Sequence, residues 1–445
     1  MRRLAALLKH KFLRDTAALQ AGSLFNALGH LSTAVILPHL LGARGQGEFY
    51  VAMALYTALA LILNQGVVAA TVSQVAAAAA RQRWQKVASW LAYLIKAYCL
   101  LGLAILALGW LGLPFIAEKV LGSEARIGTW AILLCLTPLL ELPKVVAVAG
   151  LQGLRRMLPI ARIENGQEAI RVFLVILGAL VTGDAGGAVA GSLLASAAGS
   201  LIALDLYARE RRRGTVPLPG LATILREVPG VPLRSGLHLG LKLGFVRVMN
   251  VYGQQVLPTL FLERFGTTEW VAYLRIAQRI INIPLMLGQG ISRTVLPMFS
   301  EIAGQKDLRR MRRAYFRASL FSGCIISAAL ALILPLVPFI LDRLFPLDYH
   351  APIWSICLIL VPGFVAMSFS VANDTFYLVT NTLKAAIVIC IISTLAGSAM
   401  IGVCAWHNPT TGVAWGLSFA MSWSAIHLLY ATLWFRRNIP RGADA

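Results

Sequence analysis

Twelve apolar runs divide this chain, each close to the roughly 20 residues that cross a hydrocarbon core, and this constrains its fold more than any other feature. They fall near 16–40, 49–71, 88–113, 129–150, 161–182, 187–208, 237–261, 270–297, 316–341, 352–379, 383–406 and 411–435. Inside a bilayer every backbone polar group must find a partner within the protein, so runs of this length mean helices. Of 445 residues, 58% are hydrophobic and 13% charged, where a soluble chain carries about 25% charge. The pattern implies an all-α integral membrane protein with twelve transmembrane helices.

Charge then sets the orientation. The net charge of +21 is strongly basic, yet there is no basic domain, zinc spacing or aromatic RNA platform, which argues against nucleic acid as partner. The loops and span ends on one side hold 27 of the 40 Lys and Arg; the other side holds five, Arg44, Lys119, Arg126, Arg264 and Arg343. By the positive-inside rule both termini face the cytoplasm. Residues 1–15 set Arg2, Arg3, Lys9, Lys11 and Arg14 among Leu4, Leu7, Leu8, Phe12 and Leu13, as expected of a helix lying on anionic membrane lipids. The apolar run that follows is full-length, without a small-residue cleavage site at its end, so this is not read as a removable signal. Cys99, Cys135, Cys324, Cys357, Cys390 and Cys404 all lie in apolar runs without metal-ligand spacing, which makes them reduced packing residues.

One linker is long enough to divide the chain. Residues 209–236 contain Arg211, Arg212 and Arg213 with Pro217, Pro219, Pro229 and Pro232. They separate an N-lobe, 16–208, from a C-lobe, 237–435, with a cytoplasmic tail at 436–445. The lobes read as repeats. A short loop with Gly42, Gly45, Gly47, Glu48 and Phe49 opens the second helix, which reaches Asn64-Gln65-Gly66; Phe265 to Trp270 opens the eighth, which reaches Gly288-Gln289-Gly290. Six helices per repeat give both lobes one orientation, related by an axis along the membrane normal, with a cleft between them.

The helix at 270–297 carries Arg275, Arg279, Asn282, Gln289 and Arg293, and with Met286 these step by 4, 3, 4, 3 and 4 residues. Such steps share one helix face. An arginine at the centre of a spanning helix costs roughly 2.5–3.5 kcal/mol, so this stripe is expected to line water, protein or an anionic ligand. Lys242 and Arg247 enter from the seventh helix with Asn250 and Gln254, and the first two helices add Asn26, His30 and Asn64. The implied protein is a transporter with a cationic central cavity and an anionic cargo. Guanidinium forks suit phosphate, and several suit a diphosphate. Other readings of single residues remain open. Arg293 and Lys242 can snorkel to headgroups, and His30 can be a packing residue. Glu141–Lys144 and Glu168–Arg171 stand at i,i+3, where local neutralisation is expected. Gly191, Ser192, Ala195, Ser196 and Gly199 have the small-residue spacing of a close helix contact. No GxxxxGK[ST] loop occurs, and no cofactor is expected. Drive would come from a proton or sodium gradient or the membrane potential, about 2.3 kcal/mol per charge per 100 mV. Asp374, Glu164 and Glu168 are the candidate ion-coupling carboxylates.

The segment Arg14-Asp15-Thr16, then Ala18 through Leu24, then Leu40-Leu41-Gly42-Ala43-Arg44-Gly45-Gln46-Gly47-Glu48-Phe49, resembles polysaccharide flippases of the multidrug/oligosaccharidyl-lipid/polysaccharide exporter (MOP) superfamily, the Wzx-type O-antigen and exopolysaccharide flippases. The resemblance implies a V-shaped pair of six-helix lobes. It implies an undecaprenyl diphosphate-linked oligosaccharide as cargo, flipped from the inner to the outer leaflet of a bacterial inner membrane. It also implies work alongside a polysaccharide polymerase and a chain-length regulator. The related lipid II flippases have an extra pair of helices that this sequence lacks.

Two other functions fit these residues less well. A cation or drug antiporter on the same architecture would want carboxylates where this chain places arginines. A membrane polymerase or ligase would want a sizeable outer loop, yet the longest outer stretch, Pro114 to Gly128, offers Glu118 and Glu124 with no His or Asp, and no DxD pair occurs. The expectation is therefore a transporter and not an enzyme.

Overall fold

The structure, a computed structural model, describes residues 2–64, 66–154, 156–214, 217–233, 244–246, 248–305 and 307–439. Among these residues the chain is helical and forms no strand. It divides into two compact units, Met1–Val248 and Met249–Ala445.

In the first unit α1 is Arg2–Asn64, α2 Gly66–Ala80, α3 Trp84–Phe115, α4 Ala125–Leu134, α5 Thr137–Gly153, α6 Met157–Thr182, α7 Ala185–Arg212 and α8 Leu221–Glu227. Helix α1 runs unbroken through residue 15, where the sequence suggested an interfacial segment ahead of the first span. It then holds two expected spans in one element, broken only at Gly42 (φ 66°, ψ −178°). Nothing lies within 4 Å of where a Cβ would stand on Gly42, so its left-handed backbone, not its surroundings, demands glycine. The loop expected around Gly42 to Phe49 is thereby reduced to a single residue. The stretch Pro114 to Gly128, expected as an outer loop, also proves largely helical, because α3 continues into a π-turn at Ile116–Leu121 and stops at left-handed Gly122.

Helices α6 and α7 form a close hairpin. A Cβ on Gly178 would strike the Gly187 carbonyl, and one on Gly191 the Leu174 carbonyl, so the two backbones touch. This is the contact that the small residues of α7 anticipate, since close approach gains dispersion where lipid supplies no hydrophobic drive.

In the second unit α9 is Leu257–Phe265, α10 Thr268–Gly304, α11 Leu308–Ile333, α12 Val337–Leu344, α13 His350–Ser368, α14 Asn373–Val379, α15 Leu383–His407, α16 Gly412–Ser422 and α17 Ala425–Asn438. A π-turn at Tyr252–Val256 leads into α9. Pro335 and Pro338 convert the end of one span into a 3₁₀ turn between α11 and α12, because each removes a backbone donor. The hairpin of α15 with α16 repeats the device of α6 with α7: Gly412 meets the Cys404 carbonyl and Gly416 the Ile401 backbone. An aromatic core of Tyr315, Phe376, Phe435 and Trp434 joins α11, α14 and α17.

Among the described residues eight helical stretches are long and apolar enough to cross a membrane, and a ninth candidate is bent by 50° between Phe25–Leu61 and Gly66–Ala80. That bent pair belongs to the first two expected spans. Parts of the runs at 237–261 and 270–297 lie outside the described residues. The cysteines are free, as their apolar settings predicted.

Candidate functional site

Helix α10 sorts its residues as the stripe requires. Val271, Ala272, Leu274, Ile276, Ala277, Ile280 and Ile281 are buried, whereas Arg275 and Arg279 are half-buried and Asn282 is exposed. The polar face is thus real over Arg275 to Asn282, about 10 Å of helix at 1.5 Å per residue. Its support comes from Gln278, a buried residue outside the 4, 3, 4 spacing of the stripe. Gln278 accepts a long hydrogen bond from Arg275 Nη1 (3.4 Å) on its Oε1, and donates from Nε2 to the Gln254 carbonyl (3.1 Å). That carbonyl lies in the π-turn before α9, a distortion that re-aims backbone groups. The Gln254 amide in turn donates to Met367 Sδ at 3.6 Å on α13. Asn250, exposed, accepts from the Cys390 thiol at 3.8 Å on α15. The backbone of α10 continues through Gln289 and Arg293; their side chains, that of Asn64, and Lys242 and Arg247 entirely, lie outside the described residues.

A second polar centre lies within the first unit. Glu168, only 8% exposed, receives Arg171 through two hydrogen bonds, Nε to Oε2 at 2.7 Å and Nη2 to Oε1 at 2.6 Å. His30 of α1, exposed, stands with Nδ1 at 3.1 Å from Arg171 Nη2 and 3.9 Å from Glu168 Oε1. Gly29 permits this, since a Cβ there would come within 2.5 Å of Glu168 Oε1. Two turns earlier on α1, Gly22 packs on Asn165. The side-chain oxygens of Asn165 and of Asn26, on the same stretch of α1, are buried without a donor. Glu141 is saturated: its Oε1 takes Lys144 Nζ at 2.9 Å, Gln167 Nε2 at 2.7 Å and Ser196 Oγ at 3.1 Å. The two i,i+3 pairs read from the sequence therefore form. Glu164 is exposed within range of the Lys144 charge. Asp374 is exposed in the first turn of α14, within electrostatic reach of Tyr377 and Cys390. No group of three or more His, Cys, Asp or Glu able to hold a metal occurs among the described residues.

A third feature was not foreseen. Glu48 is buried at 4% exposure and binds Arg126 Nη2 at 2.9 Å, with Arg44 Nε at 3.5 Å. Glu124 closes the quartet through Arg44 (2.6 Å) and Arg126 (2.7 Å). Arg126 also lies over Trp130, 5.4 Å from its ring centre. Arg44 and Glu124 are 80 residues apart, so no helical spacing could have revealed the pair.

A family model described as "Polysaccharide biosynthesis protein" matches residues 12–303, and one described as MatE matches 245–401. No curated protein matches significantly. Among solved structures the chain is similar to an inward-facing multidrug resistance MATE family transporter of the MOP superfamily. That pair shares 14% identity with a TM-score of 0.69, covering 93% of this chain and 95% of the other. It is also similar to an outward-facing multidrug resistance MATE transporter (18%, TM-score 0.64, coverage 96% and 94%). A MOP superfamily transporter from Pyrococcus furiosus, described as having a binding pocket of reverse polarity that suggests a different function, gives 16% identity, TM-score 0.65 and coverage of 96% and 94%. At such identities the likeness establishes the fold.

Proposed function

Since the chain belongs to the polysaccharide biosynthesis protein family and is a multi-pass transporter of the MOP superfamily, we propose that it flips a lipid-linked oligosaccharide, carried on undecaprenyl diphosphate, between the leaflets of a bacterial inner membrane. The observation that carries the reading is the half-buried pair Arg275 and Arg279 on a membrane-length helix that buries Val271, Leu274, Ile276, Ala277, Ile280 and Ile281 around them. In a low-dielectric setting a doubly charged phosphate group stabilises two guanidinium groups one turn apart, each fork able to donate to two of its oxygens. Exposed Asn282 and Asn250 suit sugar hydroxyls. The lipid tail would stay in the bilayer, so the protein would shield only the polar head while it alternates access. Arg247, Arg293, Lys242, Gln289 and Asn64 extend the same proposal.

Drive by an ion gradient or the membrane potential belongs to this proposal, with both termini in the cytoplasm. Of the three coupling carboxylates, Glu168 is tied to Arg171 and so would act only by exchanging that partner, whereas Glu164 and Asp374 stand exposed. A polysaccharide polymerase and a chain-length regulator would consume the flipped product.

Drug efflux is the second reading, and the MatE match over 245–401 favours it. One experiment separates the two. Purified protein in liposomes is assayed for transfer of a fluorescent prenyl diphosphate oligosaccharide and of a cationic dye. Arg275→Ala and Arg279→Ala should each lower lipid transfer at least about ten-fold with normal insertion, since one charge-assisted hydrogen bond contributes roughly 1.5–3 kcal/mol. Unchanged lipid transfer in both variants, or dye transport in place of lipid transport, defeats the proposal.

A further inference from the structure

A groove of about 890 Å³ runs between the end of α10 and the first half of α11. Arg310, Arg313 and Arg317 line one part of it; Phe321, Cys324 and Met298 line the rest. All three arginines are exposed, and so are Phe321 (59%) and Met298 (40%). The groove is therefore charged at one end and oily at the other, and lies wholly within the second unit.

The arginines recur at i, i+3 and i+7, which places them on one face over about 10 Å of helix axis. Among the described residues Arg313 and Arg317 make no ion pair, and Arg310 Nη1 donates only to Gln305 Oε1, at 3.0 Å. Asp307 caps α11, its carboxylate accepting from the Arg310 backbone N–H at 2.8 Å, and so answers the positive end of the helix dipole. Arg313 and Arg317 lie further along the helix and line the groove. Like charges three and four residues apart on one helix face repel, and an anion between them removes that cost.

We infer that this groove binds an anionic phospholipid of the surrounding cytoplasmic leaflet, with its phosphate on Arg313 and Arg317 and an acyl chain along Phe321, Cys324 and Met298. Basic pockets between transmembrane helices on the cytoplasmic side recognise such headgroups, and the positive-inside pattern puts this helix end there. The three arginine positions span about 10 Å of helix axis, which suits a headgroup with two separated phosphates. The ligand is accordingly bulk lipid and not cargo, and the site does not depend on the transport reading.

The test uses the full-length protein, purified from membranes and examined by native mass spectrometry after exchange into nanodiscs of phosphatidylcholine with and without cardiolipin. Wild type should retain cardiolipin. Arg313→Gln with Arg317→Gln should lower the retained lipid about ten- to thirty-fold, with the single Arg313→Gln variant intermediate. Arg313→Lys with Arg317→Lys, which keeps the charge, should retain most of it. The control, Arg436→Gln with Arg437→Gln, removes the same charge from the exposed end of α17 and should leave retention unchanged. Equal retention in wild type and the 313/317 variant overturns the inference. So does equal loss in the control, or a prenyl diphosphate as the species held. Thermal unfolding in lipid-free zwitterionic detergent checks folding, and an unfolded double variant passes the decision to the single one.

Discussion

The Gln46 side-chain amide donates to the Ala34 carbonyl at 3.2 Å in the buried interior of the first unit. Ala34 stands four residues before Pro38, which lies inside the helix and has no N–H to give it. The bond therefore supplies a donor that the sequence itself removed, and it ties the two parts of α1 across the break at Gly42.

Gln46→Leu should destabilise the protein by about 1–3 kcal/mol, the cost of orphaning a buried acceptor. In a Pro38→Ala background, where the backbone at position 38 regains an N–H for the Ala34 carbonyl, the same substitution should cost clearly less. Thermal unfolding of all four variants in detergent gives the coupling; strictly additive effects would contradict this account.

Glu168 and Arg171 neutralise one another inside α6, with side chains 9% and 19% exposed. Arg171→Met alone leaves a buried carboxylate and should cost about 3–5 kcal/mol, whereas Glu168→Leu with Arg171→Met should recover most of that loss. Transport measured on the stable double variant then reports whether the pair has a role beyond folding.

Glycine substitutions should divide by what a Cβ would meet. Gly191→Ala drives a methyl into the Leu174 carbonyl and should abolish accumulation of folded protein. Gly166→Ala, whose Cβ would touch only the Ile202 side chain at 3.5 Å, should be neutral or stabilise by roughly 0.5–1 kcal/mol. Yields from detergent gel filtration distinguish the two, and equal behaviour refutes the packing argument.

Within the quartet of Arg44, Glu48, Glu124 and Arg126, Arg126→Gln should cost more than Arg44→Gln. Arg126 holds the buried Glu48 at 2.9 Å, where Arg44 reaches it only at 3.5 Å. Both arginines are about half exposed or more, so each effect stays near about 0–1 kcal/mol and should shrink as salt rises to 1 M. Melting curves at two ionic strengths measure both points.

How much of this was legible in the residues differs from one interaction to the next. The pairs Glu141–Lys144 and Glu168–Arg171, the polar face from Arg275 to Asn282 and the glycine contact on α7 were all readable, because neighbours three or four apart on a helix meet wherever that helix goes. Gln278 stands at i+3 from Arg275 and could have been found by the same rule. The Arg44–Glu124 pair, the Gln46 bond to Ala34 and the groove between α10 and α11 were not readable.

By itself the sequence determined that this chain crosses a membrane many times as helices, which positions are cationic inside them, and which side chains meet along a single helix. These follow from transfer energies and a 3.6-residue period, both local properties. Only the tertiary structure decided which carboxylates are neutralised from another helix, where a helix pauses without a loop, and which arginines share a groove. Those outcomes depend on the path of the chain, which brings together groups whose separation in sequence carries no period.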